Sequence, residues 1–209
     1  MEKRIFNLII VDESGSMYSI RQQAFSGMNE TLESIRNMQD RYPESEQRVT
    51  LLTFDSEHIK WHHDNCLAKD AGNLKWDEYN PSACTPLYDA IGMAVTKMQT
   101  QVKEGDSVLV TIITDGYENS SREWTLKKVQ ALIEKLKKEH WTFALIGTDN
   151  LDVESMARDM SIGNHLAFCA DKEGTEIMFK RAECARMRFM ENCTLSNCDI
   201  EDGSLFSED

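Results

Sequence analysis

Short apolar runs separated by segments of helical period constrain this chain's fold more than any other feature. "RIFNLIIV" reads as a strand, and after it Ile20, Ala24, Phe25, Met28, Leu32, Ile35 and Met38 recur at three- and four-residue spacing. That spacing predicts an amphipathic helix over 18–39, stopped before Pro43. The cycle repeats through strand Arg48 to Phe54, a helix from Leu87 to about Val102, strand "VLVTII", a helix from Trp124 to Glu139 and strand "TFALIG". A short helix from Val153 to Asp159, strand "HLAF" and a last helix from Glu173 to Met190 complete it. Near-continuous apolar strands alternating with helices predict an α/β fold, a mostly parallel sheet covered on both faces. One strand differs. In "HIKWH", Ile59 and Trp61 alternate with His58, Lys60 and His62, which predicts an edge strand in a hairpin, its polar residues turned outward.

At 209 residues the chain suits one domain, assigned to residues 1–190, and "DIEDGSLFSED" offers so little to bury that residues 191–209 are expected to form a mobile acidic tail. The net charge of -13 opposes a phosphate backbone, and no basic stripe offsets it, so nucleic acid is not an expected partner. The run Leu8 to Val11 is too short for a signal-peptide core, and no run approaches a membrane span, so a cytoplasmic protein is expected. On that expectation all six cysteines are thiols, Cys169 buried in a strand, and the sequons at Asn29, Asn119 and Asn192 stay unmodified.

In sheets of this kind, ligands bind where loops leave the carboxyl ends of the strands. Three such loops stand out: "DESGSM" after the first strand, "ACTPLYDA" before the helix at Leu87, and "TDGYEN" after "VLVTII". They contribute the carboxylates Asp12 and Asp115 and the hydroxyls Ser14, Ser16 and Thr85, with no thiol or imidazole. Thr85 precedes Pro86 and is also the expected helix cap. An all-oxygen set suits a hard cation, Mg²⁺ or else Mn²⁺ or Ca²⁺. Two carboxylates only balance such an ion, leaving it attractive to one more anionic oxygen from outside. Asp89 and Asp149 lie near the same face as candidates for supporting the site. Asp89 equally suits the first turn of its helix, where an acid complements the macrodipole.

These residues resemble the hallmark of the von Willebrand factor A domains, including the inserted domains of integrins, over roughly residues 5 to 190. The family's metal-ion-dependent adhesion site combines D-x-S-x-S with a Thr and an Asp from later loops. Asp12, Ser14, Ser16, Thr85 and Asp115 stand at those positions. The resemblance implies a doubly wound six-stranded sheet of order 3-2-1-4-5-6 with strand 3 antiparallel. It also implies direct metal contacts from Ser14 and Ser16, sometimes from Thr85, with the aspartates often acting through water. A Glu or Asp of a protein partner would complete the shell, making the chain a non-enzymatic interaction module. "SACTP" departs from the glycines that many members place before the Thr. In similar integrin domains the last helix slides when the site engages; a static helix is the expectation here. The alternative function is a Mg²⁺-dependent, phosphatase-like hydrolase, which would need a second Asp where this chain has Ser14. His58, His62, His63 and Cys66 fit no standard structural zinc spacing and are read as edge-strand residues.

Overall fold

The structure is a computed structural model and describes residues 3–195 and 203–206. Its strands are β1 (Lys3–Asp12), β2 (Ser45–Phe54), β3 (Ile59–Leu67), β4 (Ser107–Thr114), β5 (Trp141–Thr148) and β6 (Asn164–Phe168). Its helices are α1 (Arg21–Arg41), α2 (Leu87–Gln99), α3 (Leu126–Leu136), α4 (Val153–Asp159) and α5 (Lys172–Leu195). The six strands lie in the order β3-β2-β1-β4-β5-β6, and every neighbouring pair is parallel except β2 with β3. This is the doubly wound sheet expected from the sequence, with the hairpin strand antiparallel at its edge.

Period-2 alternation along β1 divides the core into two layers. Ile5, Ile9 and Val11 pack beneath α1 and α5 with Met28, Leu32, Phe179 and Phe189. Phe6, Leu8 and Ile10 face the other way, toward Ile91 and Val95 of α2, Val129 and Ile133 of α3, and Ala157 of α4. Both faces of the central strands are therefore buried, which explains why they read as unbroken apolar runs. Among the described residues, no helix is long and apolar enough to cross a membrane.

Four expectations need correction. The helix expected from residue 18 begins as a 3₁₀ turn over Gly15–Ile20, with Met17 and Ile20 buried, and becomes α-helical only at Arg21. In β3, Ile59 and Trp61 pack on the core, but Lys60 and His62 do not point into solvent. They bond to Glu13 and Thr53, because the start of the first loop places a buried carboxylate under that side of the edge strand. Cys169 lies one residue beyond β6 and is exposed, its thiol donating to Asp149 Oδ2 at 3.1 Å. Cys66, Cys84, Cys169 and Cys184 are free thiols, but Cys193, buried in α5, is disulfide-bonded. The thiol expectation rested on compartment, whereas pairing follows from the proximity of two sulfurs.

The C-terminal segment also differs from a wholly unpacked tail. Within 191–209, α5 continues to Leu195 and residues 203–206 are docked. Leu205 is buried in the α1/α5 layer, Phe206 packs against it, and Asn164 Oδ1 accepts the Gly203 and Leu205 amides, each at 3.0 Å. Two adjacent apolar side chains and two backbone hydrogen bonds to Asn164 hold a short piece of an acidic segment. The rest of the expected tail lies outside the described residues.

Candidate metal centre

Asp12, the last residue of β1, is fully buried. Its Oδ1 accepts the Ser14 amide at 2.7 Å, and its Oδ2 accepts the Thr114 hydroxyl, from the end of neighbouring β4, at 2.6 Å. Ser14 Oγ lies 3.2 Å from Ser16 Oγ, and the Ser16 hydroxyl donates to Asp115 Oδ1 at 2.6 Å. Asp12, Ser14, Ser16 and Asp115 therefore form one connected run of polar groups. Thr85 reaches them from the second loop, "ACTPLYDA". A Cβ placed on Gly116 would lie 3.1 Å from Thr85 Oγ1, 3.8 Å from Ser16 Oγ and 3.9 Å from Asp12 Oδ2. These oxygens thus face one small space that only glycine at 116 leaves open. The structure brings all five sequence-selected residues together.

Thr85 does not cap α2, contrary to expectation. Pro86 holds the cap position without a side-chain bond, and two residues of the "TDGYEN" side serve the first turn instead. Glu118 Oε2 accepts the Tyr88 amide at 2.9 Å and Ser121 Oγ accepts the Asp89 amide at 3.0 Å. The Thr85 backbone is fastened on both sides by Asn119, whose Oδ1 accepts the Thr85 amide at 2.8 Å and whose own amide donates to Thr85 O at 3.1 Å. The hydroxyl is left for the site.

Asp89 clamps the loop instead of touching the five. Its carboxylate accepts the amides of Arg122, Glu123 and Trp124 at 2.7, 3.0 and 2.7 Å. Beside it, the Trp124 ring covers Gly92 so closely that an added Cβ would sit 1.9 Å from Trp124 Cδ2. One face of α2 thus sets the course of the segment that begins at Asp115. Asp149 is bonded to Cys169 and is not drawn into the cluster.

Burial dominates the electrostatics. It pushes the Asp12 carboxyl up from 3.8 to about 6, the bonds from Thr114 and Ser14 oppose the shift, and the nearby charge of Asp115 adds to it. Asp115 is also raised by burial, against the Ser16 hydrogen bond. Two carboxyls in a poorly solvated space disfavour each other's ionised form, and a cation between them removes that cost. The donor set and the space beside Gly116 fit a hard divalent ion, with two carboxylates and three hydroxyls and no softer ligand. Among the described residues, no group of three His, Cys, Asp or Glu side chains gathers as a metal site. The histidines considered for zinc are dispersed: His58 faces Asp55, His62 faces Thr53, and His63 faces Gly72 O.

Sequence reasoning missed Thr114, Asn119, Glu118 and Glu13. Thr114 and Asn119 flank "DGYE", so their place in the loop was visible although their bonds were not. Glu13 sat unremarked between two selected residues, and nothing in local spacing marked it as buried.

The sequence profile of the von Willebrand factor type A domain matches residues 8–180. No curated protein matches the chain. Among solved structures, it is similar to the von Willebrand factor domain of the type V pili tip protein Mfa5 from Porphyromonas gingivalis, at 10% identity and a TM-score of 0.63, covering 96% of this chain and 99% of that one. The SpRpn10 VWA domain is similar at 16% identity and a TM-score of 0.59, covering 87% and 95%. Proximal thread matrix protein 1 from the mussel byssus is similar at 14% identity and a TM-score of 0.58 over 91% of this chain. The chain spans 46% of that protein's length. At these identities the likeness is one of fold.

Proposed function

The chain belongs to the von Willebrand factor type A domain family, and from that premise we propose that it is a non-enzymatic protein-interaction module whose binding depends on a divalent metal ion. The observation that carries this reading is the convergence of Asp12, Ser14, Ser16, Thr85 and Asp115 around the space beside Gly116. Ser14, Ser16 and Thr85 would hold the ion by their hydroxyl oxygens, and Asp12 and Asp115 would balance its charge, in part through water. Bound Mg²⁺, or Mn²⁺ or Ca²⁺ in its place, would supply a coordination position for one carboxylate oxygen of a partner.

The residues around that position determine what the site accepts. Because Ser16 directs its proton to Asp115, it accepts in its bond with Ser14 and keeps one lone pair for the site. Asp12 is held by a backbone amide and a threonine hydroxyl, so it arrives already oriented. Ser14 occupies the position where the hydrolase alternative needs its second Asp, and it is bonded to Ser16. A metal bridge also explains how a chain of net charge -13 could attract an acidic partner: repulsion acts at long range and one short bond reverses it. Tyr18 and Tyr117, 69% and 53% exposed and each two residues from a site residue, provide aromatic contact surface beside it.

The test is affinity capture from the native host in Mg²⁺ and in chelator, with the wild-type chain and Asp115→Ala as baits. The proposal expects a partner retained only by wild type in Mg²⁺, and released when one exposed Asp or Glu of that partner becomes Asn or Gln. Equal capture in chelator would overturn it, and turnover of a generic phosphate ester in Mg²⁺ would favour the hydrolase.

A further inference from the structure

We infer that Glu13 is a positioning residue for the metal centre, bracing the loop of Asp12 and the loop of Thr85 against the β2–β3 hairpin. This rests on the metal-centre reading above. Glu13 is 1% exposed, between two residues of the cluster, and its side chain bonds to neither. Its Oε2 accepts the Thr53 hydroxyl of β2 at 2.5 Å, and its Oε1 accepts Lys60 Nζ of β3 at 2.7 Å and the Asn80 amide at 2.5 Å. Its backbone adds two more ties: the amide donates to Phe54 O at 2.8 Å, and the carbonyl accepts the Ser82 amide at 2.9 Å. One residue therefore joins the first loop, two strands and the segment leading to Thr85.

The proton count fixes the direction of this network. Thr53 has one hydroxyl proton, and it goes to Glu13, so His62 Nε2, 2.9 Å from Thr53 Oγ1, must carry a proton and donate. Donors thus point inward toward Glu13 from His62 through Thr53, and directly from Lys60 and Asn80. A buried carboxylate is costly unless paired and bonded, and an apolar side chain would fill the same space at less cost. What the carboxylate supplies and an apolar group cannot is a three-way anchor.

The hairpin turn reinforces the same segment independently of Glu13. Asp55 Oδ2 accepts the Ser82 hydroxyl at 3.3 Å, Ser56 Oγ accepts the Cys84 amide at 3.1 Å, and Ala83 O accepts the Gly15 amide at 3.1 Å. Thr85 has no helix cap bond to hold its hydroxyl in place, so its position depends on these ties and on Asn119. Partners that orient metal ligands without touching the ion typically change affinity by about 10–100-fold when removed.

The experiment is calorimetric titration of Mn²⁺ into wild type, Glu13→Ala, Glu13→Gln, Thr85→Ala and the Glu13→Ala, Thr85→Ala double variant, with thermal unfolding in chelator alongside. Glu13→Ala should weaken Mn²⁺ at least about tenfold at temperatures where it is fully folded. Glu13→Gln, which keeps an acceptor for Asn80, should recover most of the loss. Because Glu13 acts through the Thr85 loop, the double variant should bind much less weakly than the product of the two single losses requires. If Glu13→Ala does not fold, Lys60→Met, at a side chain 35% exposed, should still weaken Mn²⁺ several-fold. Unchanged affinity in the folded variants, or strictly multiplicative losses, would overturn the positioning role and leave the metal centre standing. No saturable Mn²⁺ binding by wild type would overturn both.

Discussion

Ser16 donates its hydroxyl proton to Asp115 across 2.6 Å, joining two loops 99 residues apart in the chain. The bond sits in an exposed part of the site, so its loss should disturb ion binding more than folding. Ser16→Ala is predicted to weaken Mg²⁺ at least about tenfold in calorimetry, while unfolding in chelator changes by less than about 1 kcal/mol.

Gly92 carries the Trp124 ring, and no side chain fits beneath it. Gly92→Ala should displace Trp124 and with it the segment whose amides Asp89 accepts. A destabilisation of about 1–3 kcal/mol is predicted from overpacking. Denaturant unfolding would check this, and near-ultraviolet circular dichroism should report the moved indole.

Ala83 has φ +59°, in the left-handed region that favours glycine. A β-branched residue there is a true outlier, so Ala83→Val should destabilise the fold by about 1–2 kcal/mol or more and weaken ion binding through Thr85. Ala83→Gly removes the strain but frees the unfolded chain, and the two effects should leave stability within about 1 kcal/mol of wild type. Thermal melts of both variants, read with Mg²⁺ affinity, separate strain from side-chain bulk.

His62 is half-buried, and that burial lowers its pKa from 6.5 despite the nearby charge of Glu13. The folded state therefore holds fewer protons on His62 than the unfolded state just below pH 6.5. Stability should fall as pH drops below that value and be fully present above it. Comparing wild type with His62→Gln at pH 7.5 and 5.5 isolates this group: the variant should lose less stability on acidification.

Much of the architecture was legible because the central strands are buried on both faces, and each unbroken apolar run between helical periods marks one of them. The cluster was legible as well, since Asp12 ends β1 and Ser14, Ser16, Thr85 and Asp115 lie in loops that a doubly wound sheet gathers at the carboxyl ends of its strands. What spacing alone could not show was where polar side chains find partners. Lys60 and His62 alternate with apolar residues as outward groups would, yet Glu13 below them reverses that reading. Thr85 stood where a cap belongs, but Glu118 and Ser121 arrive from a segment about 30 residues later in sequence and take that role. Leu205 lacked any periodic context, so its burial depended on a groove that only the assembled α1/α5 layer provides.

The central claim is that these five residues form one divalent-ion site. Calorimetric titration of Mg²⁺ into wild type and into the Asp12→Ala, Asp115→Ala double variant addresses it directly, because the variant keeps every hydroxyl and removes both charges. The account predicts saturable one-site binding by wild type and no measurable binding by the folded variant; the same heats and midpoint in both proteins would contradict it.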